Sequence, residues 1–191
     1  MNTGTSSSEF FEAKYRRATD PWNFAGSPYE LRRYGAIVDA LAGRRYRRGF
    51  EPGCSVGVLT ERLAAICDAV EAIDFSATAV ERARERCAHL PHVEAVCRSL
   101  PERMPVEGFD LLVCSEIGYY FGPEEWRELS EGLIVGMPAG ATLLAAHWLG
   151  TSADHRMGGD EVHEIIGRSS SLRLEHTERH EEFRLDRWVR A

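Results

Sequence analysis

The stretch Phe50-Glu51-Pro52-Gly53-Cys54-Ser55-Val56-Gly57 joins a run that reads as a strand, Gly49 to Cys54, to one that reads as a helix, Val58 to Cys67. A glycine turn at such a junction lets backbone approach a ligand closely and presents the N–H groups of the helix start. The dinucleotide fingerprint G-x-G-x-x-G would need glycine at positions 55 and 58, where Ser55 and Val58 stand. What remains is acid-x-Gly-x-Ser-x-Gly. Asp74 follows at the end of the next strand, where a carboxylate can accept hydrogen bonds from both hydroxyls of a ribose. The competing structural role is a tight turn for Gly53 and Gly57, with Asp74 capping the following helix. Taken together within one βαβ unit, the features favour an adenosine-type ligand, and the missing third glycine favours one without a pyrophosphate.

Outward from this turn the alternation is regular. Val70 to Phe75 reads as a strand, Ser76 caps a helix to Ala88, and His92 to Arg98 is a third strand. Phe109 to Ser115 (FDLLVCS) is a fourth strand, Pro123 to Val135 a helix, and Ala141 to Trp148 (ATLLAAHW) a fifth strand. Strands alternating with helices predict a parallel α/β sheet covered on both faces. The last third changes pattern: a polar loop 151–159, a helix from Asp160 to Ile166, then two alternating runs, Leu172 to Arg179 and Glu182 to Val189, which predict an antiparallel hairpin at one edge. Before the first strand, helices are expected over Glu9–Ala18, capped by Ser8, and over Pro28–Leu41, stopped by Gly43. The predicted organisation is a flexible tail 1–8 and a single domain 9–191, divided into an N-terminal helical cap 9–43 and a core 44–191.

Composition narrows the function classes. The 191 residues carry 23 basic and 30 acidic side chains, a net charge of −7, with 43% apolar and 28% charged residues. An acidic balance disfavours nucleic-acid partners, which want a basic footprint. The run Arg44-Arg45-Tyr46-Arg47-Arg48 reads as charge complementing a helix end and solvating a strand start. No stretch approaches the roughly 20 apolar residues of a membrane span, and the first ten residues lack the pattern of a secretory signal. Five cysteines with no C-x-x-C spacing suit a reducing cytoplasm. His176 and His180 have a helical metal-pair spacing but fall in a predicted hairpin, so no metal is expected.

Strand, E-P-G-C-S-x-G, helix, A-I-D-F-S, then F-D-L-L-V-C-S-E and a terminal hairpin resembles the class I S-adenosylmethionine-dependent methyltransferases. Within them the chain resembles the nodulation N-methyltransferase (NodS-like) family. That likeness rests on Asp20-Pro21-Trp22, Tyr29 to Tyr34 (YELRRY), Arg44 to Ala64, Ser115 to Tyr120 (SEIGYY), Ala146-His147-Trp148 and Gly159 to His163 (GDEVH). It implies a Rossmann-like fold with a mostly parallel seven-stranded sheet and a C-terminal antiparallel hairpin. It also implies S-adenosylmethionine as cofactor and methylation of a primary amine on a small molecule, an amino sugar or chitooligosaccharide-like acceptor. Carried onto this chain, the Gly53-Ser55-Gly57 turn would pass the methionine part, Asp74 would bind the ribose and Phe75 would lie beside the adenine. The wider class has an acid at the end of the third strand; here Arg98-Ser99-Leu100 puts Ser99 in its place, leaving Leu100 a backbone contact. Trp22 and Arg33 look like parts of a cover over the cofactor.

Methyl transfer from a sulfonium is an in-line displacement that rewards positioning and exclusion of water, and an amine nucleophile must arrive neutral, with an acceptor for its proton. Glu116, ending the fourth strand, sits where open α/β sheets bind ligands. Tyr119 and Tyr120 follow, one expected in the core and one lining the pocket. His147 ends the fifth strand at the same edge, a candidate base or substrate ligand against the plainer role of a satisfied core histidine. Asp160 and His163 share one face of a helix start and are candidate contacts to a cationic acceptor. Two alternatives stand beside the amine methyltransferase: an O-methyltransferase using His147 as base, and a non-catalytic S-adenosylmethionine-binding module. The sequence leaves monomer and dimer open.

Overall fold

Parallel pairing begins where Tyr46 meets Cys67 and runs to Pro52 opposite Ile73, so the strand carrying the glycine turn, β1 (Tyr46–Pro52), lies beside β2 (Cys67–Asp74). The structure, a computed structural model, describes residues 8–102 and 108–191, without the side chain of Ser8. Residues 1–7 of the expected tail lie outside it. The remaining strands are β3 (Val93–Cys97), β4 (Leu111–Ser115), β5 (Thr142–Trp148), β6 (Leu172–Arg179) and β7 (Phe183–Arg190). The helices are α1 (Ser8–Arg17), α2 (Pro28–Ala40), α3 (Val58–Ala64), α4 (Ala77–Arg86), α5 (Pro123–Gly136) and α6 (Gly159–Gly167), with a short 3-10 turn at Gly118–Tyr120. The seven strands form one sheet in the order β3-β2-β1-β4-β5-β7-β6. β1 to β5 are parallel, and β7 runs antiparallel to both β5 and β6. This is the expected Rossmann-like arrangement. Among the described residues, no helix is long and apolar enough to cross a membrane.

Both faces of the sheet are buried, and the period of two sorts the side chains. Leu111, Val113, Leu144 and Ala146 join one core with Ile37, Leu41 and Leu63. Leu112, Cys114, Leu143 and Ala145 join the other with Phe50, Trp126 and Leu133. The hairpin returns its second strand, β7, to β5, and leaves β6 at the edge.

Three boundaries differ from expectation by three residues. α3 stops at Ala64 and β2 starts at Cys67, because the apolar run through this stretch serves helix and strand alike. β1 begins at Tyr46, so Arg47 and Arg48 are strand residues. β4 starts too late to pair with them, and the Asp110 carboxylate accepts their N–H groups at 3.1 and 2.9 Å instead. The arginine run is thus tied into the N-terminal end of β1: Arg44 donates to Gly140 O at 3.0 Å and Arg45 to Asp68 at 2.5 Å.

The strand order reverses between β1 and β4: β2 and β3 continue to one side, β5 to the other. Ligands of open α/β sheets sit outside the carboxyl ends of the strands at such a switch point. Here that place lies between Pro52 and Ser115.

Candidate active site

A cleft of about 1020 Å³ opens at this switch point. Gly53, Asp74, Phe75, Ser99 and Leu100 line its β1–β3 half. Glu116, Tyr119, Tyr120, Trp148 and His155 line the β4–β5 half, and Phe11, Tyr15 and Trp22 form a roof. The roof is a continuous aromatic layer: Phe11 lies 5.9 Å from Trp22, 5.7 Å from Phe75 and 5.2 Å from Tyr120 between ring centroids.

The glycine turn is shaped by positive φ at Gly53 (77°), Ser55 (50°) and Gly57 (78°). A Cβ on Gly53 would come 3.1 Å from Ile117, and one on Gly57 would meet Ala83 backbone at 3.0 Å. Gly53 therefore keeps the cleft floor open. Gly57 does something else: it lets the turn pack against α4, away from the cleft. Asp74 pins the turn, its Oδ2 accepting from Ser55 N–H at 3.0 Å and its Oδ1 from Ser76 N–H at 2.9 Å. Burial pushes the Asp74 carboxyl up to about 6, against those two N–H donors. Ser76 in turn caps α4, accepting from Ala79 N–H at 3.0 Å.

Helix α1 is latched over this half by two side chains. The Tyr15 hydroxyl donates to Ser55 Oγ at 2.6 Å. Glu12 accepts from the hydroxyls of Ser76 and Thr78, each at 2.5 Å. Those bonds, Ser76's first, hold the Glu12 carboxyl down at about 2. Because the folded value lies below the ordinary 4.5, this stabilisation is complete above that pH and is lost as the pH falls towards 2. Glu12→Ala is expected to cost about 1–3 kcal/mol and to speed proteolytic cleavage after α1, between residues 18 and 27. Unchanged cleavage would show that Glu12 does not latch the helix.

Behind the other half lies a buried ionic cluster. Arg33, 1% exposed, pairs with Glu30 and, at 3.1 Å, with Glu116, and it donates to Ser115 Oγ at 2.7 Å. Burial raises the Glu30 carboxyl above its ordinary value against the pull of Arg33. Glu116 has φ 56°, left-handed backbone that costs a non-glycine residue of order 1 kcal/mol or more. Its surroundings enforce it: Glu116 N–H donates to Ala146 O at 3.0 Å, Trp148 N–H to its Oε1 at 2.7 Å, and the Tyr119 hydroxyl to its Oε2 at 2.5 Å. Glu51, 3% exposed, accepts from Thr60 at 2.6 Å and is pushed by burial up to about 8. It faces a second cavity of about 30 Å³ together with Arg33, Ser55, Ser115 and Glu116.

The structure brings together Trp22, Gly53, Ser55, Asp74, Phe75, Ser99, Leu100, Glu116, Tyr119 and Tyr120 around the large cleft. It does not bring the others there. Arg33 lies behind Glu116, on the small cavity. His147 is fully enclosed, with Nε2 accepting from Gly118 N–H at 3.1 Å and Nδ1 facing His163 Nε2 at 3.1 Å, so it has no nitrogen left for a substrate. His163 is 1% exposed and bonded to Asp186 at 2.8 Å. Asp160 points to the hairpin, where Arg179 (2.6 and 3.0 Å) and Arg184 (3.2 Å) hold it. Of the two histidines expected near the acceptor neither lines the cleft; His155 does, stacked on Tyr119 at 3.8 Å. The polar loop 151–159 was the signal for it, through its supply of Ser152, Asp154, His155 and Arg156 to the rim. Tyr15, Glu12 and Glu51 also escape sequence reasoning. Glu51 alone carried a hint, as an acid inside a strand that must be buried on both faces.

The pattern of the nodulation protein S (NodS) family matches residues 7–143. Nodulation protein S of Rhizobium tropici is 32% identical over 123 residues, 64% of this chain and 52% of that protein, so the chain spans about half the length of this relative. The N-methyltransferase NodS of Bradyrhizobium japonicum WM9, solved with S-adenosyl-L-homocysteine, superposes with a TM-score of 0.83 at 22% identity, covering 94% of this chain and 96% of that one, which establishes a shared fold. A Pseudomonas syringae protein solved as a candidate methyltransferase is 34% identical, with a TM-score of 0.74 over 85% of this chain and 99% of its own. With the family's pattern running through more than two thirds of its length, the chain belongs to the nodulation protein S family.

Proposed function

We propose that this chain is an S-adenosylmethionine-dependent N-methyltransferase that methylates a primary amine of a small molecule, an amino sugar or chitooligosaccharide-like acceptor. One observation carries the reading: a single cleft presents the Gly53–Ser55 turn and Asp74 on its β1–β2 half and Glu116 on its β4–β5 half. The solved B. japonicum relative is named an N-methyltransferase and holds S-adenosyl-L-homocysteine, which supports both the cofactor and the nucleophile. The five cysteines are unpaired, in keeping with the cytoplasmic setting inferred from composition.

The residues fit the cofactor. Asp74 has two carboxylate lone pairs engaged by N–H groups and two left for paired ribose hydroxyls. Phe75, 40% exposed, offers a flat face at the end of β2 for a purine. Gly53 lets the chain pass close to a ligand where a side chain would meet Ile117. When bound, S-adenosylmethionine supplies a methyl group on a sulfonium cation. Phe11, Trp22 and Tyr120, packed together over the cleft, would exclude water from it and offer aromatic faces to a cation bound there. Glu116, held by Tyr119, Trp148 N–H and Arg33, accepts the hydrogen of an incoming amine and takes its proton at a carboxylate oxygen, directly or through water.

An isotope-labelled methyl-transfer screen against amino sugars, oligosaccharide amines and plain alcohols tests the class. Fragmentation of the product separates N- from O-methylation, and an O-methyl product would refute the amine assignment. The O-methyl alternative leaned on His147, which the structure encloses. Tight cofactor binding with no turnover on any amine would favour the non-catalytic module. Glu116→Gln is expected to lower kcat by about 100-fold while leaving cofactor affinity unchanged. An unaltered rate would remove Glu116 from the chemistry.

A further inference from the structure

Three successive residues of β5 grip the turn that carries Glu116. Ala146 O accepts from Glu116 N–H at 3.0 Å, the His147 ring accepts from Gly118 N–H at 3.1 Å, and Trp148 N–H donates to Glu116 Oε1 at 2.7 Å. The middle contact is a side chain, and it continues inward. His147 Nδ1 lies 3.1 Å from His163 Nε2 on α6, and His163 Nδ1 lies 2.8 Å from Asp186 Oδ2 on β7. Asp186 is anchored by the Thr177 hydroxyl on β6 and by Arg184 Nε at 2.8 Å. All three members are at most 1% exposed.

The proton positions follow from the ends of this chain. A backbone N–H can only donate, so His147 Nε2 carries no hydrogen, and the neutral ring holds it on Nδ1. That hydrogen points at His163 Nε2, which must therefore accept, leaving the His163 hydrogen on Nδ1 facing the carboxylate. Only one arrangement satisfies every link: two neutral Nδ1–H rings and an ionised Asp186. An extra proton on either ring sets two hydrogens against each other and breaks a link.

We propose that His147, His163 and Asp186 form a positioning relay that locks Gly118 N–H and so fixes the Glu116–Tyr120 turn for the acceptor. The proposal rests on the proposed function in one respect, that this turn is the acceptor side. These are positioning residues; none touches the cleft. The turn tolerates no slack, since a Cβ on Gly118 would lie 2.4 Å from Val162 and 3.0 Å from Trp126. The relay also ties the turn to the terminal hairpin, which gives β6 and β7 a part in acceptor chemistry although they stand apart from the cofactor half.

The surroundings keep both imidazole rings neutral. His147 is faced by His163 from α6, Arg33 from α2, His155 from the 149–158 loop and the Tyr119 ring, and burial first, then His163 and Arg33, holds its protonation well below the ordinary 6.5. His163 is faced by Asp186 and Arg184 from β7 and by Asp160 on its own helix; burial outweighs Asp186 and lowers it as well. With both folded values depressed, the unfolded chain takes up protons first as the pH falls below 6.5. The relay therefore stabilises the fold fully above that pH and progressively less below it.

Long-range ¹H–¹⁵N spectra of the full chain at neutral pH, with His147→Gln used for assignment, should show both rings as Nδ1–H tautomers. In methyl-transfer assays His147→Leu should lower kcat by about 10- to 100-fold with cofactor affinity unchanged. His147→Gln, whose amide oxygen can still accept from Gly118 N–H, should recover most of that rate. An Nε2–H tautomer at His147, a wild-type rate in His147→Leu, or cofactor affinity lost in step with the rate would overturn the relay. Both Nδ1–H tautomers in a protein that transfers no methyl group would instead overturn the proposed function and leave the relay standing.

Discussion

Arg33→Met is expected to lower the free energy of unfolding by about 3–5 kcal/mol, the usual cost of removing one partner from a buried ion pair. The guanidinium is 1% exposed and stands between two carboxylates, Glu30 on its own helix and Glu116 beyond β4. It also lies 5.1 Å from the Tyr34 ring and 5.6 Å from the Tyr29 ring. Without it Glu30 is a buried acid with no cation beside it. Burial already raises Glu30 with Arg33 present, and its loss raises that carboxyl further. A folded value above the unfolded 4.5 means that the folded state takes up a proton which the unfolded state does not, so stability rises as the pH is lowered towards 4.5. The deficit of the variant is thus largest at neutral pH and shrinks on acidification. Glu30→Gln added to Arg33→Met should restore part of it, because a neutral amide replaces the stranded charge. Urea unfolding of the three proteins across this pH range is the measurement. A deficit below about 1 kcal/mol, or one that deepens on acidification, would show that the cluster is solvated and not a structural tie between α2 and the turn after β4.

That tie marks the limit of what sequence could say about the fold. The βαβ alternation, the Ser76 cap and the hairpin Leu172–Arg179 with Phe183–Arg190 were legible because period-two and helical patterns belong to local chain geometry. The start of β1 was hidden, because Arg47 and Arg48 follow its first residue Tyr46 and their N–H groups are satisfied by Asp110, more than sixty positions away. Such a partner has no local signature.

The candidate site residues divided along the same line. Gly53, Asp74 and Glu116 were visible because their positions at strand ends alone carry them to the switch point. His147 was misleading for a matching reason. It also ends a strand at that edge, but a strand alternates its faces, and His147 points into the core while its neighbours Ala146 and Trp148 meet the Glu116 turn through backbone. Asp160 and His163 share a helix face as expected, yet that face meets β7 and the hairpin arginines. Spacing tells which residues travel together and is silent on what they meet.

Asp74 is where the two kinds of information combine into the second large effect. Its carboxylate shapes the glycine turn through Ser55 N–H and Ser76 N–H, and under the proposed function its remaining lone pairs take the ribose. Hydrogen bonds to a charged group contribute about 1.5–3 kcal/mol each, so Asp74→Ala should weaken S-adenosylhomocysteine binding at least about 100-fold. Asp74→Asn is a sharper probe. Its NH₂ must face one of the two N–H donors, so it too binds weakly, but it has no proton to exchange. In the unaltered protein the carboxyl sits at about 6 before cofactor binds, and hydroxyl donors prefer the ionised form. Affinity should therefore fall as the pH drops through 6. Fold stability runs the other way: between the unfolded 3.8 and the folded 6 the native state takes up a proton that the unfolded chain does not, so acid relieves the buried charge. A calorimetric affinity that falls with acid in the wild type and not in Asp74→Asn, with a urea stability in which the wild type gains on that variant over the same window, identifies one carboxylate as the source of both. A wild-type affinity that is flat across pH 6, or an alanine variant that binds normally, would leave Asp74 as a loop-pinning residue only and return the ribose contact to the backbone of the glycine turn.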